Sequence, residues 1–244
     1  LATITGINAG GILTLKGAEH FTNRKELHLW GYSEEESIRE IDPSMFPKLY
    51  RFTLGECNGV TALDFSRNTM FETIELSRCS NVHALSLPTS VKEIQLFGAP
   101  KLTALDVSRL PNLIGLWLQH TGITDLDFSN HPALQLVSIQ GGEDALDQMN
   151  SLNLQNCAAL ETVDSRYTTI KSLSMKHLPI VRTLMMLNND ITTITIDDCE
   201  EFNDITCDHN VLGTLSLTNN PQLRAVNCED NRLQVLIADN CPVL

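Results

Sequence analysis

Apolar residues recur along most of this chain in the pattern LxxLxL, and each copy follows the last after ten or eleven residues. Two such half-units form a repeat of about 21 residues, and the clearest copies begin at Val181, Phe202 and Leu223. A fixed period of this length indicates a solenoid. Each repeat then forms one coil that buries its apolar side against its neighbours.

The first half-unit of each coil predicts a short β-strand. Positions 4 and 6 are apolar and position 5 is usually polar, as in Ile205–Cys207, and this alternation is typical of a strand with one buried face. A small polar side chain at position 9 can bond the backbone where the chain leaves the strand. Position 9 carries an asparagine in the last three coils, at Asn189, Asn210 and Asn231.

Nine coils can be placed from this pattern. They are spaced by 20 to 22 residues except after Leu134, where residues 141–150 add about five residues and predict a loop or a helical turn. Residues 1–48 fit the repeat poorly and predict irregular N-terminal capping coils, with strands at 12–15 and 27–29 and a short helix at 33–40. The nine coils begin at Leu49, Phe71, Val91, Leu113, Leu134, Leu160, Val181, Phe202 and Leu223.

The second half-unit often has a proline at its tenth position, as at Pro111, Pro132 and Pro221. Because proline cannot continue a sheet ladder, we assign the first half of each coil to a continuous parallel sheet. The second half is expected on the opposite side of the coil.

The consensus LxxLxLxx(N/C/T)xL over residues 49–244 resembles that of leucine-rich repeat proteins. The repeat length and second halves such as Leu126–Leu134 are similar to those of bacterial cell-surface proteins of the internalin and Bacteroides type. The resemblance implies a right-handed leucine-rich repeat solenoid, made of β and irregular structure, with its parallel sheet on the concave face. Residues 49–244 would then form one continuous domain at the cell surface or in a secreted protein. A parallel β-helix is the alternative fold, and the long second halves and the asparagine positions weigh against it.

Composition and motifs exclude several classes of function. The net charge of −13 disfavours nucleic acid and anionic membrane surfaces as partners, and no segment has the roughly 18 apolar residues of a membrane span. No cofactor or nucleotide motif is present. The acidic stretch 197–204 lacks the glycine and the terminal glutamate of a calcium loop, so we predict no metal site.

The seven cysteines are predicted to be free thiols. Cys207 and Cys228 occupy position 6, where they act as small apolar residues, whereas Cys57 and Cys79 occupy the position that asparagine holds elsewhere. The others lie two coils apart, roughly 10 Å by strand spacing, which is too far for a disulfide. These others share one second-half position, at Cys157, Cys199 and Cys241.

Side chains at positions 3, 5 and 7 point out of the predicted concave sheet, where most of them should be polar. Trp117 and Met185 at position 5, and Phe97 and Leu187 at position 7, break this rule. An exposed apolar patch with aromatic residues and arginine is typical of protein-binding hot spots. The candidate ligand-binding residues in or beside these columns are Trp117, Phe97, Ile114, His120, Leu136, Arg166, Tyr167, Met185 and Leu187.

These features favour a non-enzymatic module that binds a protein or a glycan through its concave face. The alternative is a structural spacer without a ligand, in which the same residues pack on one another or on the 141–150 insertion. A homodimer through the concave face, or through the open C-terminal end near Pro242–Leu244, is also compatible with the pattern. His120 and His209 have no obvious partner for acid–base chemistry, so we predict no enzymatic activity.

Overall fold

The computed structural model describes residues 15, 20, 22–31, 38–142 and 147–244, together with the backbone of residues 6–10. The described residues group into two compact units. The first unit comprises Leu1–Leu113 with Trp117–Ile123, and the second comprises Ile114–Leu116 with Thr124–Leu244. Each is a parallel β-solenoid with almost no helix, and no helix in the described ranges is long and apolar enough to cross a membrane.

In the first unit the first-half strands pair in parallel in the order β1, β2, β3, β5, β7, and the second-half strands β4 and β6 pair with each other. A 3-10 turn at Pro43–Met45 begins at Asp42, whose carboxylate accepts the Ser44 N–H at 2.9 Å. The strands of this unit are β1 (Gly6–Gly10), β2 (Glu26–Trp30), β3 (Arg51–Gly55), β4 (Ala62–Asp64), β5 (Thr73–Ser77), β6 (Ala84–Ser86), β7 (Glu93–Ala99) and most of β8 (Gly115–Thr121).

The strands of the second unit are β9 (Asp125–Asp127), β10 (Leu136–Gln140), β11 (Ser151–Asn153), β12 (Thr162–Arg166), β13 (Ser172–Lys176), β14 (Thr183–Met185), β15 (Thr193–Asp197), β16 (Asp204–Thr206), β17 (Thr214–Thr218), β18 (Ala225–Asn227) and β19 (Val235–Ile237). The first-half strands pair in the order β10, β12, β14, β16, β18. On the second-half side, β9 pairs with β11, and β13, β15, β17 and β19 form a second parallel ladder.

The nine first-half strands predicted from the repeat are confirmed. Each of the nine coils contains a strand at its predicted place, from β3 in the coil of Leu49 to β18 in the coil of Leu223. The core positions are confirmed as well, since Leu116, Leu184 and Ile205 at position 4 are 0–1% exposed. Register therefore follows from the hydrophobic pattern, because a slip of one residue would turn every core side chain outward.

The second halves form more sheet than the prolines predicted. In the coils that contain β13, β15 and β17, the second-half strand is five residues long. Pro221 lies three residues after the end of β17, so it ends the strand without interrupting the ladder. In Thr193–Asp197, for example, threonine and isoleucine alternate, and both are β-branched residues that favour strands.

Expectations for the N-terminal part and for the insertion have mixed outcomes. The strand at 27–29 is confirmed as part of β2. The predicted strand at 12–15 lies outside the described residues except for Leu15, which is not in a strand, and residues 38–40, the described end of the predicted helix, are not helical. In the insertion, the described residues 141–142 and 147–150 contain no helix, and Asp147 forms a β-bridge with Thr168. The division at residue 48 stays a prediction.

Two turns in most coils use left-handed backbone conformations, with φ between 50° and 81°. One turn lies at position 8 of the first half and the other at the equivalent place in the second half. Non-glycine residues adopt this conformation at a cost, with asparagine and aspartate the best tolerated. The first-half positions are Glu56, Arg78, Gly98, His120, Tyr167, Asn188, His209 and Asp230, and the second-half positions are Asn130, Asn156, His177, Asp198, Asn219 and Asn240.

The asparagines at position 9 bond the backbone of the preceding coil, as predicted. Asn210 donates its amide to the Met186 carbonyl at 2.6 Å and accepts the Ile191 N–H at 3.0 Å. Cys79 replaces asparagine in this role, because its thiol donates to the Leu54 carbonyl at 3.3 Å. All seven cysteines are free.

Candidate recognition face

The first-half strands expose positions 3, 5 and 7, which we call the outward face. It is the face that the sequence predicts to be concave. In β7 and β8 the buried and half-exposed side chains alternate along the strand. Eight of the nine candidate residues lie at these positions or at the adjoining position 8, and Ile114 is at position 2. The candidates divide between the two units, and the outward face of each unit is described by itself.

In the first unit the outward face carries Phe97, Trp117 and His120. Phe97 in β7 stands in register with Ser77 of β5, and Trp117 is the fifth residue of its repeat, in β8. Both aromatic side chains are half-buried, so each retains surface that a partner can cover. His120 occupies the left-handed turn position with φ of 50° and is exposed. All three therefore lie on or beside the outward face, as predicted.

In the second unit the register brings four candidates together. Arg166 of β12 follows Asp164 by two residues on the same face, and Asp164 is the cross-strand partner of Met185 in β14. Tyr167 donates its backbone N–H to the Leu187 carbonyl at 3.1 Å. All four side chains are half-buried. They form what we call the Arg166 patch, defined as Arg166, Tyr167, Met185 and Leu187.

Ile114 and Leu136 form a separate pair in the second unit. The Ile114 carbonyl accepts the backbone N–H groups of Gln135 at 2.8 Å and Leu136 at 3.2 Å. Leu136 begins β10, whose last residue Gln140 is the cross-strand partner of Arg166. This pair therefore lies at the opposite end of the strands from Arg166.

A buried carboxylate fixes the guanidinium of Arg166. Asp164 accepts two hydrogen bonds from Arg166, from Nε at 2.7 Å and from Nη2 at 2.5 Å. Gln140 donates a third to the same carboxylate at 3.2 Å and also contacts the Ser138 hydroxyl at 3.3 Å. The hydrogen bonds from Arg166 to Asp164 raise the pKa of the guanidinium above its usual value. About a third of the Arg166 side chain stays exposed, so a charged, oriented group remains available to a partner.

Acidic side chains continue the outward face beyond the Arg166 patch. Asp204 and Glu229 are exposed and Asp208 is half-exposed. Asp230 pairs with His209 at 3.1 Å. Within the described ranges, no group of three or more histidine, cysteine, aspartate or glutamate side chains could hold a metal ion.

Two outward-face residues were missed by the sequence reasoning. Asp164 looked like an ordinary polar residue at position 5, and only its burial reveals its role. Trp30 in β2 is 38% exposed, and it lies in a part of the chain where no register had been assigned. The signal for Trp30 is the pattern Leu27-His28-Leu29-Trp30, because Leu27 is in register with Phe52 and Trp30 therefore occupies position 7.

A groove of about 690 Å³ lies on the second-half side of the second unit, and none of the candidate residues lines it. Its walls come from the left-handed turns and the residues just after them. One contact across these turns is the pair of His177 and Asp198, 3.4 Å apart. The lining residues are His177, Pro179, Asp198, Glu200, Asn219, Pro221 and Asn240.

No protein-family model and no curated protein matches this sequence. Several solved structures do. The functional domain of InlJ from Listeria monocytogenes, which includes a cysteine ladder, is 15% identical with a TM-score of 0.56 over 95% of this chain and 64% of that chain. TLR13 in its complex with ssRNA13 is 17% identical with a TM-score of 0.63, over 97% of this chain and 39% of that one.

The LRIM1/APL1C complex matches 89% of this chain at 14% identity with a TM-score of 0.56. The chain covers 46% of that structure, so it spans less than two thirds of the length of each of these three solved chains. At such identities the likeness concerns the fold. Together with the nine coils and their position-9 ladder, it shows that this chain folds as a leucine-rich repeat solenoid.

Proposed function

We propose that this chain is a non-enzymatic recognition module that binds a protein through its outward face. The observation that carries the proposal is the Arg166 patch. It combines half-exposed Tyr167, Met185 and Leu187 with an arginine that a buried carboxylate holds in place. Tyrosine and arginine are enriched at hot spots. An oriented guanidinium also loses little conformational entropy when it binds.

Phe97 and Trp117 supply the corresponding apolar surface in the first unit. An indole and a phenyl ring at outward positions offer a large area for burial at the cost of few rotatable bonds. The predicted site residues of both units thus have the composition of a protein-binding surface.

Charge favours a protein over a nucleic acid as the partner. One structural neighbour, TLR13, was solved with an RNA. In this chain, however, residues 124–244 contain 17 acidic and 6 basic residues, and such a surface repels phosphate groups. The setting we propose is a bacterial cell-surface or secreted protein, on the similarity of the repeat length and second halves to the internalin type.

The proposed function is tested by substituting one outward residue in each unit. The immobilised wild-type chain and its Trp117→Ala and Met185→Ala variants would be used to capture binding proteins from an extract of the source organism. Gln95→Ala, at a half-exposed polar position of the same face, is the matched control. We expect each of the two variants to weaken capture by 1 kcal/mol or more, on the order of a hot-spot loss, with melting temperatures near the wild-type value.

Two other outcomes have clear meanings. Undiminished capture by both stable variants would move the site away from the outward face. Absence of any specific partner for the wild-type chain would favour the structural spacer.

A further inference from the structure

Trp30 lies across the backbone of Gly55, its cross-strand partner in β3. A Cβ atom at Gly55 would stand only 2.1 Å from Cε3 and from Cζ3 of the indole. The six-membered part of the ring therefore occupies the space that any other residue at position 55 would fill. Because the glycine admits the ring this closely, the indole is held against the sheet while 38% of the residue remains exposed.

A row of polar side chains runs beside this indole at position 5 of the adjoining coils. His28, Thr53, Glu75 and Gln95 are successive partners in register. Nδ1 of His28 lies 3.0 Å from the Thr53 hydroxyl, which donates to the Glu75 carboxylate at 3.4 Å. Successive members stand about 4.8 Å apart, and the row lies about 7 Å from the position-7 column of Trp30.

Glu26 lies beside this row, two residues before His28 in β2, and its carboxylate already takes part in hydrogen bonds. Glu26 accepts a hydrogen bond from the Tyr50 hydroxyl and lies 3.4 Å from Nε2 of His28. The hydrogen bonds from Tyr50 and from His28 hold the pKa of Glu26 below its usual value. Thr53 is only 4% exposed, so the described surface beside Trp30 presents the imidazole of His28, the amide of Gln95 and the carboxylates of Glu26 and Glu75. Arg51, the cross-strand partner of Glu26, is exposed at the end of the strands farther from Trp30.

From this arrangement we infer that the first unit carries a binding site for a neutral oligosaccharide, with Trp30 as its stacking platform. A fixed indole covers the apolar face of a pyranose ring, and the half-exposed side chains of His28, Glu75 and Gln95 supply donors and acceptors for its hydroxyl groups. Both parts are held in place before the ligand arrives, which lowers the entropic cost of binding. This site is separate from the protein-binding function proposed above, and each can fail without the other.

The charge of the site fits a neutral sugar better than an acidic one. The carboxylates of Glu26 and Glu75 accept hydrogen bonds from the Tyr50 and Thr53 hydroxyl groups, so both are held in place before a ligand arrives. An acidic sugar would meet the same two carboxylates and be repelled. A neutral ligand with several hydroxyl groups suits both the aromatic surface and the paired polar row.

The experiment uses the fluorescence of Trp30 in a Trp117→Phe background, since the chain has two tryptophans. Cellohexaose, chitohexaose and mannohexaose would be titrated in parallel, with hexagalacturonic acid and hexalysine as charged comparisons. We expect a saturable blue shift with at least one neutral hexasaccharide at millimolar concentration and a smaller or absent response to both charged probes.

Three variants, measured by calorimetry in the native chain, identify the site. Trp30→Ala should lower saccharide affinity roughly tenfold, on the order of a hot-spot loss. Gly55→Ala should do the same with the tryptophan still present, because the new methyl group displaces the ring. Thr53→Val removes the buried hydroxyl that links His28 to Glu75 and should lower affinity severalfold, because these two side chains lose the contact that orients them.

Three results would contradict a neutral-oligosaccharide site at Trp30. No response to any of the three neutral hexasaccharides would exclude it. Saccharide binding that survives Trp30→Ala and Gly55→Ala would also exclude it, by moving the sugar elsewhere. If hexalysine alone binds and Trp30→Ala removes that binding, the site is one for cations.

Discussion

Asn189 joins its coil to the one before it by donating its side-chain amide to the Ser165 carbonyl at 2.7 Å. Its oxygen accepts both the backbone N–H and the hydroxyl of Thr168 at 2.7 Å. Asn189 is 6% exposed, and Ser165 and Thr168 are fully buried. The carbonyl and the N–H face the interior, where water cannot replace the asparagine, so a single side chain satisfies the turn of the preceding coil.

Asn189→Ala should destabilise the chain by roughly 2 kcal/mol, because each buried polar group left without a partner costs about 1–3 kcal/mol. Urea denaturation followed by circular dichroism measures the change. Gln95→Ala, on the half-exposed face, is the control and should change stability by less than about 0.5 kcal/mol. Equal effects of the two substitutions would contradict the structural role of position 9.

Truncation of the position-4 core residues should cost more. Leu116→Ala, Leu184→Ala and Ile205→Ala each leave a cavity in a fully packed coil and should lower the free energy of unfolding by roughly 2–5 kcal/mol. The same denaturation experiment applies to all three. Losses as small as that of Gln95→Ala would refute the register of the repeat.

The seven thiols should differ in their reactivity toward a labelling reagent, because they differ in burial. Cys57, Cys79, Cys157, Cys199 and Cys207 are buried, whereas Cys228 and Cys241 are half-exposed. Burial raises the pKa of Cys79 and of Cys157 to about 11, and that of Cys207 to about 12, so the reactive thiolate is scarce at pH 8. Labelling of the native chain at pH 8 with a thiol reagent should therefore modify Cys228 and Cys241 first.

Denaturation without reductant should then expose all seven thiols. A stable count of five or fewer would mean that at least one disulfide is present.

The pair of Asp164 and Arg166 should contribute more than an ordinary surface ion pair. A double-mutant cycle with Asp164→Ala and Arg166→Ala should give a coupling of about 1–2 kcal/mol. This value is reduced from that of a buried charged hydrogen bond because a third of Arg166 is exposed.

The control cycle uses Arg182 and Glu201, which are 55% and 48% exposed and lie 2.9 Å apart. Its coupling should stay at or below about 0.5 kcal/mol. Equal couplings in the two cycles would show that Asp164 does not anchor Arg166.

Much of the fold was predictable because equivalent residues recur at the same place in successive coils. Leu184 and Ile205 occupy the same place in coils 21 residues apart, so the core and the nine strands followed from the period alone. The role of asparagine at position 9 was predictable for the same reason. Cys79, which bonds the Leu54 carbonyl, could be assigned this role only because asparagine marks the position elsewhere.

The turn at Tyr167, the burial of Asp164 and the position of Trp30 depend on contacts between coils, which the 21-residue period of the sequence does not predict. Tyr167 adopts a left-handed turn with φ of 55°, although its residue type does not favour this conformation, because the coil imposes the turn. The burial of Asp164 follows from its bond to Arg166 and from the approach of Gln140 in the preceding coil. The outward position of Trp30 follows from the register of β2 with β3, which the sequence pattern did not provide.

The central proposal is that the outward face, and not the second-half side, meets the partner. It is tested most directly by placing a photo-crosslinking amino acid at Met185 in one variant and at Thr195 in another. Both positions are half-exposed and lie in the second unit, but Met185 is in the first-half strand β14 and Thr195 in the second-half strand β15. We predict a specific protein adduct from position 185, lost when Arg166→Ala is added, and none from position 195. The same adduct from both positions, or from position 195 alone, would contradict the proposal.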